Sequence, residues 1–383
     1  MAIYLDHNAT TPLHPAVLEA MQPYMGAICG NASSLHRYGR LHKDAIAQAR
    51  EQLAALLDAR ADQVIFTSGG TEANNLLLKG FAAKSPASRM ALSAIEHMSM
   101  LEPAEALQKQ GSMIDLVECN EHGCITADAL HKALQPDTKL VSVMAANNET
   151  GAIQDIATLA AIVRAQGAYM HSDASQAAGK IKFSFADSGV HAMTVSAHKF
   201  YGPLGAGALI LDPALPLSAM LHGGSQEKHL RAGTENVPAI VGFGKAAELA
   251  LAELDTHSQH VRSLRDALEA GLSEFSNVRI FAQQVERLPN TVQFGVAGFD
   301  GETLLMQLDR KGIAVSSGSA CTSGKTEPSH VLKAMRVDND FALGAVRVSF
   351  GAGNTLADVD ALLRALTDIM QLQRSEVMMA ASI

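Results

Sequence analysis

A chain of 383 residues, of which 48% are hydrophobic and 18% charged, is long enough for two or three domains and too apolar for a disordered or fibrous protein. Its net charge of −9, its lack of tryptophan and its aromatic content of 4% argue against a nucleic-acid partner, because such partners require basic surfaces and aromatic stacking platforms. An enzyme is therefore the leading class.

The cysteines favour a reducing compartment, and the apolar runs argue against a membrane span. Four cysteines are too few and too scattered for a disulfide framework, and Cys119 and Cys124 have no second ligand pair at zinc-finger spacing, so we expect no metal. The first residues show neither the basic stretch nor the apolar core of a signal peptide. The longest apolar runs, such as 140–146, are far shorter than the roughly 18–20 residues of a membrane span. We expect a cytoplasmic protein with no membrane partner.

Helical and strand periodicities alternate from about residue 35 to 211. Short apolar runs predict buried strands, several of them separated by segments of helical length with glycine or proline at their ends. This alternation is typical of an α/β fold with a mostly parallel sheet between helices. The predicted strands are Val64–Thr67, Met90–Ser93, Met113–Val117, Leu140–Ala145, Ala168–His171, Ala192–Ser196 and Ala208–Leu211.

The second half of the chain predicts a smaller α+β unit. A helical pattern runs from Val237 to about Phe275, and we expect it to break near Thr256–Ser258. We place a large domain at 15–255 and a small domain at 256–383, together with the extended residues 1–14. The predicted elements beyond the long helix are strands at Val278–Phe281, Thr291–Val296, Ile313–Ser316 and Val346–Phe350 and helices near 301–311, 328–335 and 355–372.

The first polar cluster, residues 68–74 with the sequence SGGTEAN, follows a predicted strand and opens a helix. Glycines such as Gly70 let the backbone approach an anion, and the free N–H groups beside Thr71 can bind phosphate. The cluster is neither a P-loop nor a dinucleotide fingerprint, so it does not imply a nucleotide. A plain strand-to-helix turn explains it equally well.

Two further clusters follow strands of the same predicted sheet. One contains Asp173 and Gln176, and the other contains Ser196, His198 and Lys199. Taken alone, a salt bridge between loops is the simpler interpretation of the Asp173–Lys199 pair. The alternative is that Asp173 faces the pyridinium nitrogen of pyridoxal phosphate while Lys199 forms a Schiff base with it.

The fourth cluster surrounds Cys321 in the sequence SSGSACTSG, residues 316–324. A lone cysteine is usually a small buried hydrophobic residue, an interpretation that suits Cys119 and Cys124. The neighbours of Cys321 are small, polar and rich in glycine, which leaves a thiol accessible. We therefore interpret Cys321 as a reactive thiol.

The clusters and their order along the chain resemble the pyridoxal-phosphate cysteine desulfurases of the NifS/IscS type, in the class V aminotransferase family of fold type I. The resemblance covers nearly the full length. The residues that carry it are 4–12 (YLDHNATTP), 68–74, 96–97 (EH), 147–151 (NNETG), 196–199 (SAHK), 231–236 (RAGTEN), 316–324, 327–332 (EPSHVL) and 346–351 (VRVSFG).

The resemblance implies a pyridoxal 5'-phosphate cofactor and a catalytic set of three residues. Lys199 would bind the cofactor covalently and move a proton at the substrate Cα. Cys321, as a thiolate, would attack the sulfur of L-cysteine, giving L-alanine and a persulfide for transfer to an acceptor protein in iron–sulfur cluster or other sulfur biosynthesis. His97 would stack on the cofactor ring.

The resemblance also implies the binding residues. Asp173 would pair with the ring nitrogen and Gln176 with the phenolic oxygen. The phosphate would be held around Gly70 by donors at Thr71, Ser196 and His198, and by Thr234 of the other subunit, which implies a homodimer. Arg347, helped by Asn148 at the cofactor's edge, would clamp the substrate carboxylate.

Four other functions remain open on the sequence alone. A related lyase or aminotransferase of the same fold would share Lys199 and Asp173 but would not need Cys321. A selenocysteine lyase would use the same residues. From other classes, a non-catalytic sulfur-transfer scaffold would not need the four residues Lys199, Asp173, His97 and Cys321 together. A thiol hydrolase pairing Cys321 with a histidine would leave the phosphate loop and the Asp–Lys pair unexplained.

Overall fold

In a computed structural model, the protein is described for residues 2–317 and 327–381. The strands are β1 (Ile3–Tyr4), β2 (Val64–Thr67), β3 (Arg89–Ser93), β4 (Met113–Val117), β5 (Thr138–Ser142), β6 (Tyr169–Asp173), β7 (Ala192–Ser196), β8 (Gly207–Leu211), β9 (Val278–Ile280), β10 (Thr291–Val296), β11 (Ile313–Ala314) and β12 (Ala345–Ser349).

The α-helices are α1 (Pro15–Gln22), α2 (Arg37–Leu57), α3 (Gly70–Lys84), α4 (Met98–Gln108), α5 (Ala127–Ala133), α6 (Ile156–Ala165), α7 (Phe185–Ser188), α8 (Val237–Leu272), α9 (Gly301–Arg310), α10 (His330–Ala334), α11 (Asn339–Leu343) and α12 (Leu356–Ala381). Among the described residues, no helix combines the length and the hydropathy that crossing a membrane requires.

The main sheet has seven strands in the order β2-β8-β7-β6-β5-β3-β4. β8 runs antiparallel to both of its neighbours, whereas the pairs from β7 to β4 are parallel. This confirms the predicted α/β fold with a mostly parallel seven-stranded sheet. Because β2 and β7 both run against β8, the carboxyl ends of β2, β3, β5, β6 and β7 lie at one edge.

Helices cover both faces of this sheet because apolar side chains alternate along its strands. In β2, Phe66 belongs to a core that includes Leu53 of α2 and Phe243 of α8. Its neighbour Ile65 belongs to a separate core with Leu77 of α3. All four residues of β2 are buried, as expected for a strand covered on both sides.

The smaller sheets lie in the second half of the chain. β12, β10 and β9 form an antiparallel sheet, and β1 pairs in parallel with β11. Their core also contains Leu5, the residue that follows β1.

The predicted break at Thr256–Ser258 is wrong, because α8 is continuous from Val237 to Leu272. The three polar residues have only modest helix propensities, which do not outweigh burial on either side of them. The first half of α8 packs against the main sheet through residues such as Phe243, and the second half enters the smaller core through Val261 and Leu268. One rigid helix therefore joins the two cores.

We expect Phe243→Ala to lower the free energy of unfolding by about 3–5 kcal/mol, because it leaves a cavity where α8 meets the sheet. Phe243 is fully buried, with its ring centroid 5.7 Å from that of Phe200 and 6.2 Å from that of Phe66. Urea unfolding followed by circular dichroism measures the loss. The matched control is Leu251→Ala on the exposed side of the same helix, which should change stability little. Equal losses in the two variants would contradict this packing.

Candidate active site

A cavity of about 340 Å³ lies where the five strands end. β2 leads to the first turn of α3, β3 to His97, β5 to Asn148, β6 to Asp173 and β7 to Lys199. Ligand sites in open α/β sheets form at this edge, because loops from neighbouring strands converge there. The polar clusters that are far apart in the sequence therefore lie together in this cavity because of the strand order.

The cavity brings together most of the predicted site residues. Thr234 does not line it and is exposed on this chain, and Cys321 lies outside the described residues. The residues that the sequence did not single out are Asn8, Ala9, Ser99, Met144, Ala146 and Ser175. The predicted residues that line the cavity are Gly70, Thr71, His97, Asn148, Asp173, Gln176, Ser196, His198, Lys199 and Arg347.

Asp173, the last residue of β6, is buried with its carboxylate held by two donors. Asn74 of α3 donates to Oδ2 at 2.8 Å, and the backbone N–H of Ser175 donates to Oδ1 at 2.9 Å. The same Asn74 amide nitrogen also donates to Ser99 Oγ at 2.9 Å. Asp173 is therefore fixed in place by donors to both of its carboxylate oxygens.

Lys199 lies on a 3₁₀ turn, Ala197–Lys199, that directly follows β7. Its Nζ donates to the backbone oxygens of Asn8 at 2.7 Å and Ala9 at 2.9 Å. The N-terminal segment is anchored beside this turn, since Thr11 Oγ1 donates to the backbone oxygen of His198 at 3.0 Å. Sequence reasoning missed Asn8 and Ala9, because nothing in local periodicity shows that a segment nearly 190 residues away covers the lysine.

His97 caps the N-terminus of α4. Its Nδ1 accepts the backbone N–H of Ser99 at 3.1 Å, which leaves the proton of a neutral ring on Nε2. Burial lowers the pKa of His97; the charge of Asp173 opposes this shift, and that of Lys199 adds to it. The ring is therefore held in one orientation, and the lowered pKa favours its neutral form.

One corner of the cavity is built to bind an anion. α3 begins at Gly70 without a side-chain cap, so the N–H groups of its first turn are available. Ser196 Oγ is buried without a hydrogen-bond partner among the described residues. A Cβ at Gly70 would lie 3.3 Å from Ser175 Oγ, so the absence of a side chain keeps this corner open. Thr71 and His198 complete the polar wall.

Arg347 enters the cavity from β12 and is 3% exposed. Its Nη2 lies 2.6 Å from Asp6 Oδ1, and Nη1 donates to the backbone oxygen of Asn148 at 3.1 Å. Its Nε has no partner in the described part of the chain. A guanidinium with a donor to spare is suited to a carboxylate ligand.

The family model described as "Aminotransferase class-V" matches residues 3–362, which is most of the chain. The chain belongs to this family. It is 42% identical over 376 residues to "Cysteine desulfurase IscS" of Dictyoglomus turgidum, a match that covers 97% of this chain and 95% of that protein. It is 44% identical over 373 residues to a cysteine desulfurase of Sinorhizobium fredii, covering 96% of each. A solved "NIFS-like protein" matches with a TM-score of 0.91 and 36% identity, over 97% of this chain and 100% of that one.

Class V aminotransferases depend on pyridoxal phosphate, and the cavity fits this group. The unpartnered Ser196 hydroxyl and the uncapped start of α3 suit its phosphate. Asp173 and Lys199 line the same cavity and offer the carboxylate and the amine that the ring and the aldehyde require.

Two buried carboxyl groups beside the site were not singled out for a role by the sequence. Glu149 Oε2 accepts from Ser329 Oγ at 2.6 Å and from Gln293 at 3.2 Å. Glu96 Oε1 accepts from Ser93 Oγ and from the backbone N–H of Met144, each at 2.7 Å. Burial raises the pKa of both carboxyl groups, that of Glu96 to about 8 with a further contribution from the charge of Asp173. At neutral pH, Glu96 is therefore a neutral acid immediately before His97.

We expect Glu96 to make the cofactor-free protein less stable as the pH rises. In the unfolded chain this carboxyl ionises near its ordinary pKa of 4.5, whereas in the folded chain it keeps its proton until about pH 8. Between these values the unfolded state releases a proton that the folded state retains, which costs up to about 1.4 kcal/mol of stability per pH unit.

Glu96→Gln keeps both accepted hydrogen bonds and removes the titration. Subtracting its unfolding free energy from that of wild type, measured in urea between pH 5 and 8, isolates the contribution of this one group. The difference should fall steadily as the pH rises. A difference that is flat with pH would show that Glu96 is ionised in the folded protein.

Proposed function

We propose that the protein is a cysteine desulfurase that uses pyridoxal 5'-phosphate to convert L-cysteine to L-alanine and holds the sulfur as a persulfide on Cys321. The observation that carries the proposal is that Lys199 and Asp173 line one cavity that also has an anion-binding corner. The relatives named cysteine desulfurase, which match over nearly the whole chain, support the choice of substrate.

The chemistry that the cofactor supplies when bound is electron withdrawal from the substrate Cα. Asp173, held by Asn74, would keep the ring nitrogen protonated, and Gln176 would donate to the ring's phenolic oxygen. Lys199 would hold the cofactor covalently, and its amine would move the Cα proton. Asn8 and Ala9 hold this amine in the cavity through their backbone oxygens.

The neutral ring of His97 would stack on the cofactor without adding a positive charge beside the protonated ring nitrogen. Thr71, Ser196 and His198, which line the cavity, would hold the phosphate at the start of α3. Burial, together with the charges of Lys199 and Lys180, lowers the pKa of His198 to about 4. His198 therefore donates as a neutral imidazole.

The small unit brings the sulfur chemistry to this site. Arg347 binds the substrate carboxylate next to Asn148. The thiolate of Cys321 attacks the substrate sulfur: an S–S bond forms, the C–S bond breaks, and its electron pair passes to the substrate carbon, which takes up a proton and leaves as L-alanine.

Both flanks of the Cys321 segment form hydrogen bonds with residues that line the cavity or lie beside it, which supports this role. On one side, Ser316 and Arg347 exchange backbone hydrogen bonds of 3.1 and 2.7 Å. On the other side, Ser329 donates to buried Glu149, and His330 Nε2 donates to the backbone oxygen of Glu96 at 2.9 Å. Two of the other thiols are less suited to this role, because burial raises the pKa of Cys119 to about 11 and also raises that of Cys124, whereas Cys29 is exposed and does not line the cavity.

The proposal extends to partners and location. The persulfide passes to an acceptor protein in iron–sulfur cluster or other sulfur biosynthesis, in the cytoplasm. The exposed position of Thr234 suits a homodimer in which it contacts the phosphate in the partner's site. In this proposal the domain formed by 15–255 binds the cofactor. The domain formed by 1–14 and 256–383 carries the sulfur chemistry.

We expect the protein to bind pyridoxal phosphate with a visible absorption band that changes on addition of L-cysteine, with release of alanine and, after reduction, of sulfide. Cys321→Ala should keep the band and lose turnover, and Lys199→Ala should lose the covalent adduct on mass spectrometry. A protein that takes up no cofactor would refute the proposal. A protein with the band that is inert to L-cysteine would indicate another class V activity.

Arg347→Gln should raise the KM for L-cysteine at least about tenfold, since a charge-assisted hydrogen-bonding pair is lost, and should leave the cofactor band of the resting enzyme unchanged. Steady-state alanine formation measures the effect. The control is Arg279→Gln on strand β9, an exposed arginine of the same small sheet. An unchanged KM would remove Arg347 from substrate binding.

A further inference from the structure

Lys180 is a buried amine that the mechanism above does not use. It lies one turn after Gln176, where the backbone N–H of Lys180 donates to Ala177 O at 3.0 Å, and it is only 4% exposed. Its Nζ donates to Gln176 Oε1 at 2.6 Å and to Asn8 Oδ1 at 2.8 Å. Both acceptors are neutral amide oxygens, and within the described ranges Lys180 forms no ion pair.

The charged groups around Lys180 are mainly positive. Burial lowers its pKa well below the ordinary value, and the charges of Lys199 and Arg347 lower it further. The charge of Lys180 in turn lowers the pKa of three histidines, which are His7, His198 and His257. The carboxylate of Asp6 forms its ion pair with Arg347, at 2.6 Å, and not with Lys180. A lysine kept in such surroundings is costly, so a plain packing role explains it poorly.

What Lys180 does is orient two amides. A lysine amine, charged or neutral, can donate to two oxygens at once, so it selects the oxygen end of each amide. Gln176 is thereby left with Nε2 as its free end, which donates to the backbone oxygen of Asn8 at 3.0 Å on the side of the cavity. Asn8 is left with Nδ2 as its donor, which bonds to Asn148 O at 3.2 Å and Thr291 Oγ1 at 2.9 Å.

The Gln176 amide and the Lys199 amine share one acceptor on Asn8. The backbone oxygen of Asn8 that accepts from Gln176 also accepts from Lys199 Nζ at 2.7 Å. A flipped Gln176 amide would put its oxygen against this carbonyl and against the phenolic oxygen of the cofactor. The rotamer of Gln176 therefore affects both the lysine and the ring.

We propose that Lys180 is a positioning residue of the active site, which holds the Gln176 amide with its N–H₂ group toward the cofactor and Asn8 with its backbone oxygen on Lys199. The inference rests on the proposed function, since it assigns Gln176 to the phenolic oxygen. It concerns a residue that touches neither substrate nor cofactor.

The test uses Lys180→Met, which keeps the length and volume of the side chain and removes the donor. In the protein loaded with pyridoxal phosphate, we expect the midpoint of the pH titration of the visible band to rise by about one unit. A ring oxygen that has lost its donor binds the neighbouring proton on the Lys199 nitrogen more tightly. Lys182→Met, at a lysine 77% exposed and paired with Asp255, is the matched control and should titrate like wild type.

A double-mutant cycle separates positioning from a general structural effect. Gln176→Leu should raise the midpoint as Lys180→Met does, and the double variant should show no larger rise than Gln176→Leu alone. Additive shifts, or a Lys180→Met midpoint equal to that of wild type, would overturn the inference while leaving the proposed function intact. If Lys180→Met fails to fold, Lys180→Leu takes its place in the cycle. Failure of the wild-type protein itself to bind the cofactor would overturn both.

Discussion

The site depends on one buried asparagine that ties the N-terminal segment to both halves of the molecule. Asn8 accepts hydrogen bonds from Gln176, Lys180 and Lys199 of the main sheet. Toward the smaller unit, its backbone N–H donates to Ser349 Oγ at 2.9 Å. Its side-chain oxygen accepts a hydrogen bond from Asn290, and its side-chain nitrogen donates one to Thr291. A short polar residue can satisfy all these groups only if both units are in register, so Asn8 fixes the position of Lys199 relative to Arg347. The cost of burying its amide is offset because each polar atom is paired.

Electrostatics explains why this cavity suits an anionic ligand. Lys199 and Arg347 bring positive charge into a buried space, and only Asp173 and Asp6 oppose them directly among the carboxylates described above. Glu96 adds no further negative charge at neutral pH, because burial raises its pKa to about 8, and burial also raises the pKa of Glu149. The uncapped start of α3 and the unpartnered Ser196 Oγ and Arg347 Nε add unused donors to this site. Charge of this sign at low dielectric attracts phosphate and carboxylate groups more strongly than surface lysines would.

Local sequence signals predicted the parts of the structure that local forces determine. The strands Val64–Thr67 and Ala192–Ser196 match the structure residue for residue, because runs of buried apolar side chains ended by polar ones admit little else. The convergence of Asp173 and Lys199 followed from their positions at strand ends. By contrast, the break in α8 was wrong, since burial against two cores outweighed three polar residues. Asn8 and Lys180 could not be found from periodicity, because their roles arise only when segments far apart in sequence pack together.

The division of the site between two cores has a chemical consequence. Asp173 and Lys199 follow strands of the main sheet, whereas Arg347 and the flanks of the Cys321 segment come from the smaller unit. The continuous helix α8 and the N-terminal segment are the covalent and hydrogen-bonded links that hold these two sets together. A change that loosens either link therefore alters the position of Arg347 and of the flanks of the Cys321 segment relative to Asp173 and Lys199.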